Sequence, residues 1–214
     1  TTFNTAGLIF SAASGGGVAT IPAQVAGTPS GNFFLRAVRT NTTTQACEAA
    51  LSGAQSVNFA HECNNPATCS ASNLMSVNGG TATTIARNNN GSVTSFTPVN
   101  MTFDANGNAP FTFNYLDVGL ARLWASKPAS GSLLSTLAGS SNAFVVRPGG
   151  FVLSTIRQTA APQTVNPAAA NAGGGVFVKA GEPFSVTVTA TTTPASGATP
   201  TPNYGKETIP ESVK

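Results

Sequence analysis

Apolar and polar residues alternate along this chain in short runs, and Gly, Pro, Asn and Ser punctuate them. A period of two places successive side chains on opposite faces of a strand. Asn32–Thr40 shows this most plainly, with Phe33, Leu35, Ala37 and Arg39 on one face and Phe34, Arg36, Val38 and Thr40 on the other. Phe111, Phe113 and Tyr115 repeat the pattern with aromatic rings. Further strands are expected at Gly7–Ala12, Val18–Val25, Gln55–His61, Leu74–Val77, Thr83–Arg87, Val93–Phe103 and Leu120–Trp124. Others are expected at Asn142–Arg147, Phe151–Ile156, Val176–Val178 and Phe184–Ala190. Pro22 suggests an edge position or a bulge, since proline brings no N–H to a ladder. Gln45–Leu51 could make one helical turn, too short to change the class. Evenly spaced short strands with turn punctuation predict an all-β fold of Ig-like antiparallel sandwiches.

The stretch Phe103–Ser126 is the most informative. Asp104-Ala105-Asn106-Gly107-Asn108 reads as a tight hairpin turn, where Asn and Gly take positive φ at little cost. Asp104, Asn106 and Asn108 also have the odd-position spacing that opens an oxygen-ligand calcium loop. The acidic residues that should follow are missing, above all the bidentate Glu, so the turn explains the three without a metal. Tyr115, Asp117 and Gly119 then resemble the corner before the last strands of Ig-like domains, where a hydroxyl or carboxylate ties the backbone.

Two units are expected, at 1–147 and 148–214. Gly7-Leu8-Ile9-Phe10-Ser11 resembles Gly150-Phe151-Val152-Leu153-Ser154. Val25-Ala26-Gly27 before Asn32–Thr40 likewise resembles Lys179-Ala180-Gly181 before Phe184–Ala190. Arg147-Pro148-Gly149 suits a short connection between them. The second unit offers few clear strands ahead of a Pro- and Thr-rich tail. It is therefore expected to be incomplete, either part of a longer chain or completed by exchange of strands with another copy.

Composition bears on the compartment. Charged residues make up 8% of the 214 positions, against roughly 25% in ordinary soluble domains. Hydroxyl and amide side chains replace them, which suits a secreted or cell-surface protein. The net charge of +3 comes from scattered residues. No basic patch forms, so nucleic acid is not an expected partner. No apolar run reaches the ~20 residues that a membrane span needs. The sequence opens on strand-like residues, so any export signal or anchor is expected outside it.

Cys63 and Cys69 bracket Asn64-Asn65-Pro66-Ala67-Thr68, a loop short enough to carry a disulfide that staples a hairpin. Cys47 is then unpaired or bonded to another chain; it could instead pair with Cys63. Metal is the weaker alternative, since zinc sites usually want four ligands and only His61 lies nearby. His61 is the single histidine. No nucleophile elbow accompanies it, so a structural role is expected and no catalytic residue can be named. Trp124 follows Leu120 and Arg122 by period two and is expected at a core edge; facing outward, it would offer a sugar-stacking platform. Sequons at Asn41-Thr42-Thr43, Asn90-Gly91-Ser92 and Asn100-Met101-Thr102 are chance matches in so Asn- and Thr-rich a chain.

The segments YLDVGLARLWAS, GSSNAFVVRPGGFVLS and FVKAGEPFSVTVTA, with NFFLRAVRTNTTTQACEAAL and CNNPATC, resemble the DUF6701 region of MshQ-like proteins. The resemblance runs from about Ala6 to Glu207. It implies a large exported bacterial protein associated with MSHA-type (type IV) pili and built from Ig-like domains. It carries no catalytic residues or cofactors. The expected function is a non-catalytic structural or adhesive module of a surface appendage, with other copies or pilus subunits as partners. The alternative is a carbohydrate-binding module with glycan partners.

Overall fold

In the computed structural model the Phe33–Thr40 alternation becomes a strand whose Phe33, Leu35 and Ala37 side is buried. The structure describes residues 6–41, 43–44, 46–71, 75–131, 133, 135–168, 170–171 and 173–209. Strands are numbered in chain order. One sheet runs β1 (Ala6–Ser11), β3 (Phe33–Thr40), β10 (Asn108–Tyr115), β6 (Met75–Asn78) and β7 (Ala82–Thr84), with β4 (Cys47–Ala49) beside β3. A second runs β2 (Gln24–Val25), β13 (Phe144–Arg147), β11 (Gly119–Lys127), β5 (Gly53–Asn65) and β8 (Ala86–Asn89). In that sheet β12 (Leu137–Ser140) also pairs β11, and β9 (Thr97–Phe103) pairs β5. Pairing is antiparallel except for the short parallel ladders β2–β13 and β5–β8. No helix occurs among the described residues.

The two sheets bury one continuous core. Phe10, Phe33, Phe111 and Phe113 from the first sheet meet Phe59 and Phe144 from the second, with ring centroids 5.2–6.3 Å apart. These spacings are those of edge-on and tilted aromatic pairs. The architecture is an all-β, Ig-like sandwich.

Several elements differ from the sequence reading. Cys47–Ala49 is a strand, not a helical turn, because it ladders onto the end of β3; Gln45 itself lies outside the described residues, as do Thr42 and Leu74. Val18–Val25 shortens to β2, with Pro22 ahead of it. Val176–Val178 forms no strand; Phe177 instead packs its ring on Phe184. β12 went unread because Leu-Ala-Gly-Ser carries no alternation, and Gly139 lies so close to Leu8 that a Cβ would meet its carbonyl oxygen. The Cys63–Cys69 loop does not staple a hairpin either: β5 and the next strand, β6, belong to different sheets.

Beyond Arg147 the chain makes a separate two-stranded ribbon of β14 (Gly150–Gln158) and β15 (Phe184–Thr191). Register places Phe151 opposite Ala190 and Leu153 opposite Val188. Alternation adds Val186 and Phe184 to that face and puts Ser185, Thr187, Thr189 and Thr191 on the other. The apolar face is open: Leu153 is 61% exposed, Phe184 53% and Phe151 45%.

Candidate functional site

β10 and β11 belong to different sheets, so the segment Leu116–Val118 carries the chain across the end of the sandwich. Gly119 has φ +122°, and a Cβ there would lie 2.5 Å from the Asn65 carbonyl oxygen, so the crossing requires glycine. Tyr115 and Asp117 are buried beside it. One Asp117 oxygen, Oδ1, accepts from the Val118 N–H at 2.9 Å and from the Asn203 N–H at 3.0 Å. Burial pushes the Asp117 carboxyl above the usual range, against the pull of those two donors. The Asn203 amide donates to the Tyr115 hydroxyl and to the Val118 carbonyl, both at 3.4 Å. Burial, and secondarily the Asp117 charge, raises the Tyr115 pKa.

Thus the corner receives the segment that follows β15. Thr201 and Asn203 are buried there, and Tyr204 packs on the core and against Phe151. A further tie runs from the Thr208 N–H to Asn65 Oδ1. The ribbon is strapped to the sandwich. Beside the strap lies a groove of about 270 Å³, lined in part by Asn65, Val146, Arg147, Tyr204 and Glu207.

Cys63 and Cys69 form a disulfide with Cα atoms 5.5 Å apart, and Cys47 is free and exposed. His61 and Cys63 sit two apart on β5, so alternation points both into the same end of the interior. His61 Nε2 lies 3.8 Å from Cys69 Sγ, and the ring packs on Tyr115 at 5.4 Å. Burial lowers the His61 pKa to about 4, helped by the Arg87 charge and opposed by the Ala86 carbonyl. The Tyr115 hydroxyl lies 3.7 Å from Cys63 Sγ, which joins this cluster to the corner.

The expected hairpin turn at Asp104–Asn108 is a crossing between the sheets instead, because β9 pairs β5 in one and β10 pairs β3 and β6 in the other. Its residues are nonetheless engaged with one another. Asp104 Oδ1 accepts from the N–H groups of Asn106 and Asn108, and Asn108 Oδ1 accepts from the Gly15 N–H. Those donors, the Asn108 N–H first, hold the Asp104 carboxyl below its ordinary range. Gly107 takes φ +77° at the turn. The Asp104 and Asn108 oxygens thus serve the turn and its neighbour Gly15.

Trp124 is a correction. The core face of β11 is Ala121, Leu123 and Ala125, so Trp124 faces outward with Leu120 and Arg122. The Arg122 guanidinium lies 5.9 Å over its ring, and its indole N–H donates to Glu62 Oε2 at 2.8 Å. Glu62 also accepts from the Gly91 N–H at 2.7 Å. Desolvation is the largest influence on Glu62 and would raise its pKa. The N–H donors together outweigh it and leave the pKa lowered. Sequence reading missed Glu62 and Asn203. A lone acid within the buried run Phe59–Cys63 was a signal for the first; Asn203, in a Pro- and Thr-rich tail, offered none.

Two open sheets closed over one aromatic core, with a second β unit strapped to a buried corner, define an Ig-like β-sandwich protein. The chain belongs to the DUF6701 family. The family model described as the first Ig-like domain of DUF6701 (domain of unknown function) matches residues 1–140, and that described as its second domain matches 147–214. No curated protein and no solved structure matches the chain.

Proposed function

We propose that this chain is a non-catalytic structural or adhesive module of an exported bacterial surface appendage, of the pilus-associated kind its resemblance to MshQ-like proteins implies, and that it engages other copies of itself by strand addition. The observation that carries the reading is the ribbon. Phe151, Leu153, Phe184, Val186 and Val188 of β14 and β15 share an exposed, largely apolar face. Beyond the isolated bridges Arg157–Val165 and Thr191–Pro200, the ribbon's outer edges carry no paired strand among the described residues. An open two-stranded sheet is marginal alone, and an unpaired edge is a template for another strand. Because the exposed face carries no charge, a second copy meets it without like-charge repulsion. Contacts of this kind propagate into filaments when the rotation does not close.

Other features fit the same reading. The disulfide suits an oxidising compartment. His61 is buried with its Nε2 against the Cys69 sulfur. Trp124 lies under Arg122 and is committed to Glu62, which favours the structural reading over the sugar-binding alternative. Light scattering over a wide concentration range tests the proposal. Concentration-dependent growth in mass, weakened by Leu153→Glu and Val188→Glu, is expected. A parent chain that stays monomeric throughout overturns assembly by strand addition.

A further inference from the structure

A buried histidine normally finds an oxygen or nitrogen partner for each ring nitrogen, and one that does not calls for an explanation such as an ion or a redox role. His61 is fully buried, and its Nδ1 makes no hydrogen bond. The other nitrogen, Nε2, faces sulfur at 3.8 Å. With Nε2 turned toward sulfur, the ring presents a nitrogen to the same point as two soft donors, as a metal-bound imidazole does. The nitrogen of His61 and the sulfurs of Cys63 and Cys69 all lie within 4.8 Å of one another. Donors around one ion with metal–ligand bonds of 2.0–2.3 Å sit about 3.5–4 Å apart.

We infer that His61, Cys63 and Cys69 form a redox-gated site for a soft, thiol-seeking metal ion, closed while the disulfide stands and opened by its reduction. Breaking the S–S bond takes two electrons and two protons. A dithiol supplies both and closes to its own disulfide, or a phosphine supplies the electrons and takes up the oxygen of a water whose two protons complete the thiols. The arriving ion displaces both thiol protons to solvent and takes two thiolates and one neutral imidazole. Two thiolates and an imidazole suit Zn²⁺ or Cu⁺ and not hard cations. A fourth position would suit zinc, whereas three donors are enough for monovalent copper. Access is from the Cys69 side, where Cys69 lines a polar groove of about 340 Å³ with Thr68, Arg87, Asn88 and Ser95.

The test uses the full chain carrying Cys47→Ser, so that the free thiol contributes nothing. The phosphine-reduced protein is titrated with Cd²⁺, as a spectroscopic stand-in for zinc, and separately with Cu⁺ against a copper(I) chelator. One ion per chain is expected in at least one arm, with a thiolate-to-cadmium absorption band if the site is zinc-like. The disulfide form should bind none. His61→Gln should weaken binding at least tenfold while the thiolates remain. If reduction loosens the fold, the ion should restore the strand circular dichroism and raise the melting temperature. Two silent arms, equal binding by the oxidised form, or unchanged affinity in His61→Gln overturns the site.

Discussion

β1 with β3 and β14 with β15 are the same local construction in two surroundings. Each is an antiparallel pair in which a long connection ends at a glycine of positive φ, Gly27 at +76° and Gly181 at +87°, before the returning strand. Leu8 opposes Ala37 and Phe10 opposes Leu35; Phe151 opposes Ala190 and Leu153 opposes Val188. In the first pair these apolar side chains are buried, while in the second Phe151, Leu153 and Val188 are exposed. The difference lies in the neighbours. β3 has β10 on its free edge and a second sheet over its face, whereas β15 has only the single bridge from Thr191 to Pro200 on its edge and, among the described residues, no sheet over its face. Amphipathic alternation therefore specifies a pair of strands and its inner face, but burial has to come from other strands.

The largest effect separating the two regions should be in the aromatic core. Phe113 packs against Phe33 and Phe144 from opposite sheets. Phe113→Ala should cost about 3–5 kcal/mol, as removal of a buried aromatic usually does. Urea denaturation followed by circular dichroism measures this. A midpoint close to that of the parent would mean that the sandwich does not rely on the contact between its sheets.

Next is the disulfide at the end of the sandwich. It closes a loop with a sequence separation of 6. Chain-entropy reasoning gives such a short loop about 2–2.5 kcal/mol. Cys63→Ser combined with Cys69→Ser should lower stability by that amount, and adding a reductant to the parent should reproduce the loss. Equal stability with and without the disulfide would place its value elsewhere, in the redox gating inferred above.

The strands and the core face were legible because alternation survives in the bare sequence, whereas the pairing was not: the turn read as a hairpin joins β9 and β10 of different sheets. Phe33, Leu35, Phe111 and Phe113 declare their face by spacing alone. β12 was not legible, since Leu-Ala-Gly-Ser is shaped by the approach of Leu8 and not by a pattern. Trp124 was misread because Leu120 resembles a core residue, whereas the small Ala121 and Ala125 flank the true core position, Leu123. At the corner, Tyr115 and Asp117 could be named from the chain, but their partner Asn203 lies 86 residues beyond Asp117. Nothing in a linear reading connects them.

Asp117 should show the strap's contribution. It is the acceptor for two backbone N–H groups, so Asp117→Ala should cost on the order of 1–2 kcal/mol. Its pH dependence should oppose that of Asp104. The folded-state pKa of Asp117 is raised above 3.8, with Tyr115, Lys206 and Glu207 as the neighbouring titratable groups. Its contribution is fully present below pH 3.8 and declines as pH rises through the folded-state value. Asp104 is lowered from 3.8, so its contribution holds above 3.8 and is lost as pH falls through the folded-state value. Denaturation at a series of pH values should therefore show the difference between parent and Asp117→Asn changing in the opposite sense to that between parent and Asp104→Asn. Slopes of the same sign would mean that the Asp117 carboxylate is solvated in solution and the corner open.

The smallest effect is expected where the sequence looks most like core. Leu153 and Val188 oppose each other on β14 and β15 exactly as Phe10 and Leu35 do on β1 and β3, yet they are 61% and 40% exposed. In dilute protein, Leu153→Thr should then change stability by no more than about 0.5 kcal/mol, as surface substitutions usually do. Leu35→Thr, the matching change in the buried pair, should cost several times more, because it buries an unpaired hydroxyl as well as losing apolar contact. Repeating the comparison at high concentration sharpens it. If copies cover the ribbon face, the Leu153→Thr penalty should grow with concentration while that of Leu35→Thr stays constant, since mass action stabilises only the interface the first change weakens. A large Leu153 penalty that is independent of concentration would show that the ribbon face is already covered within a single chain.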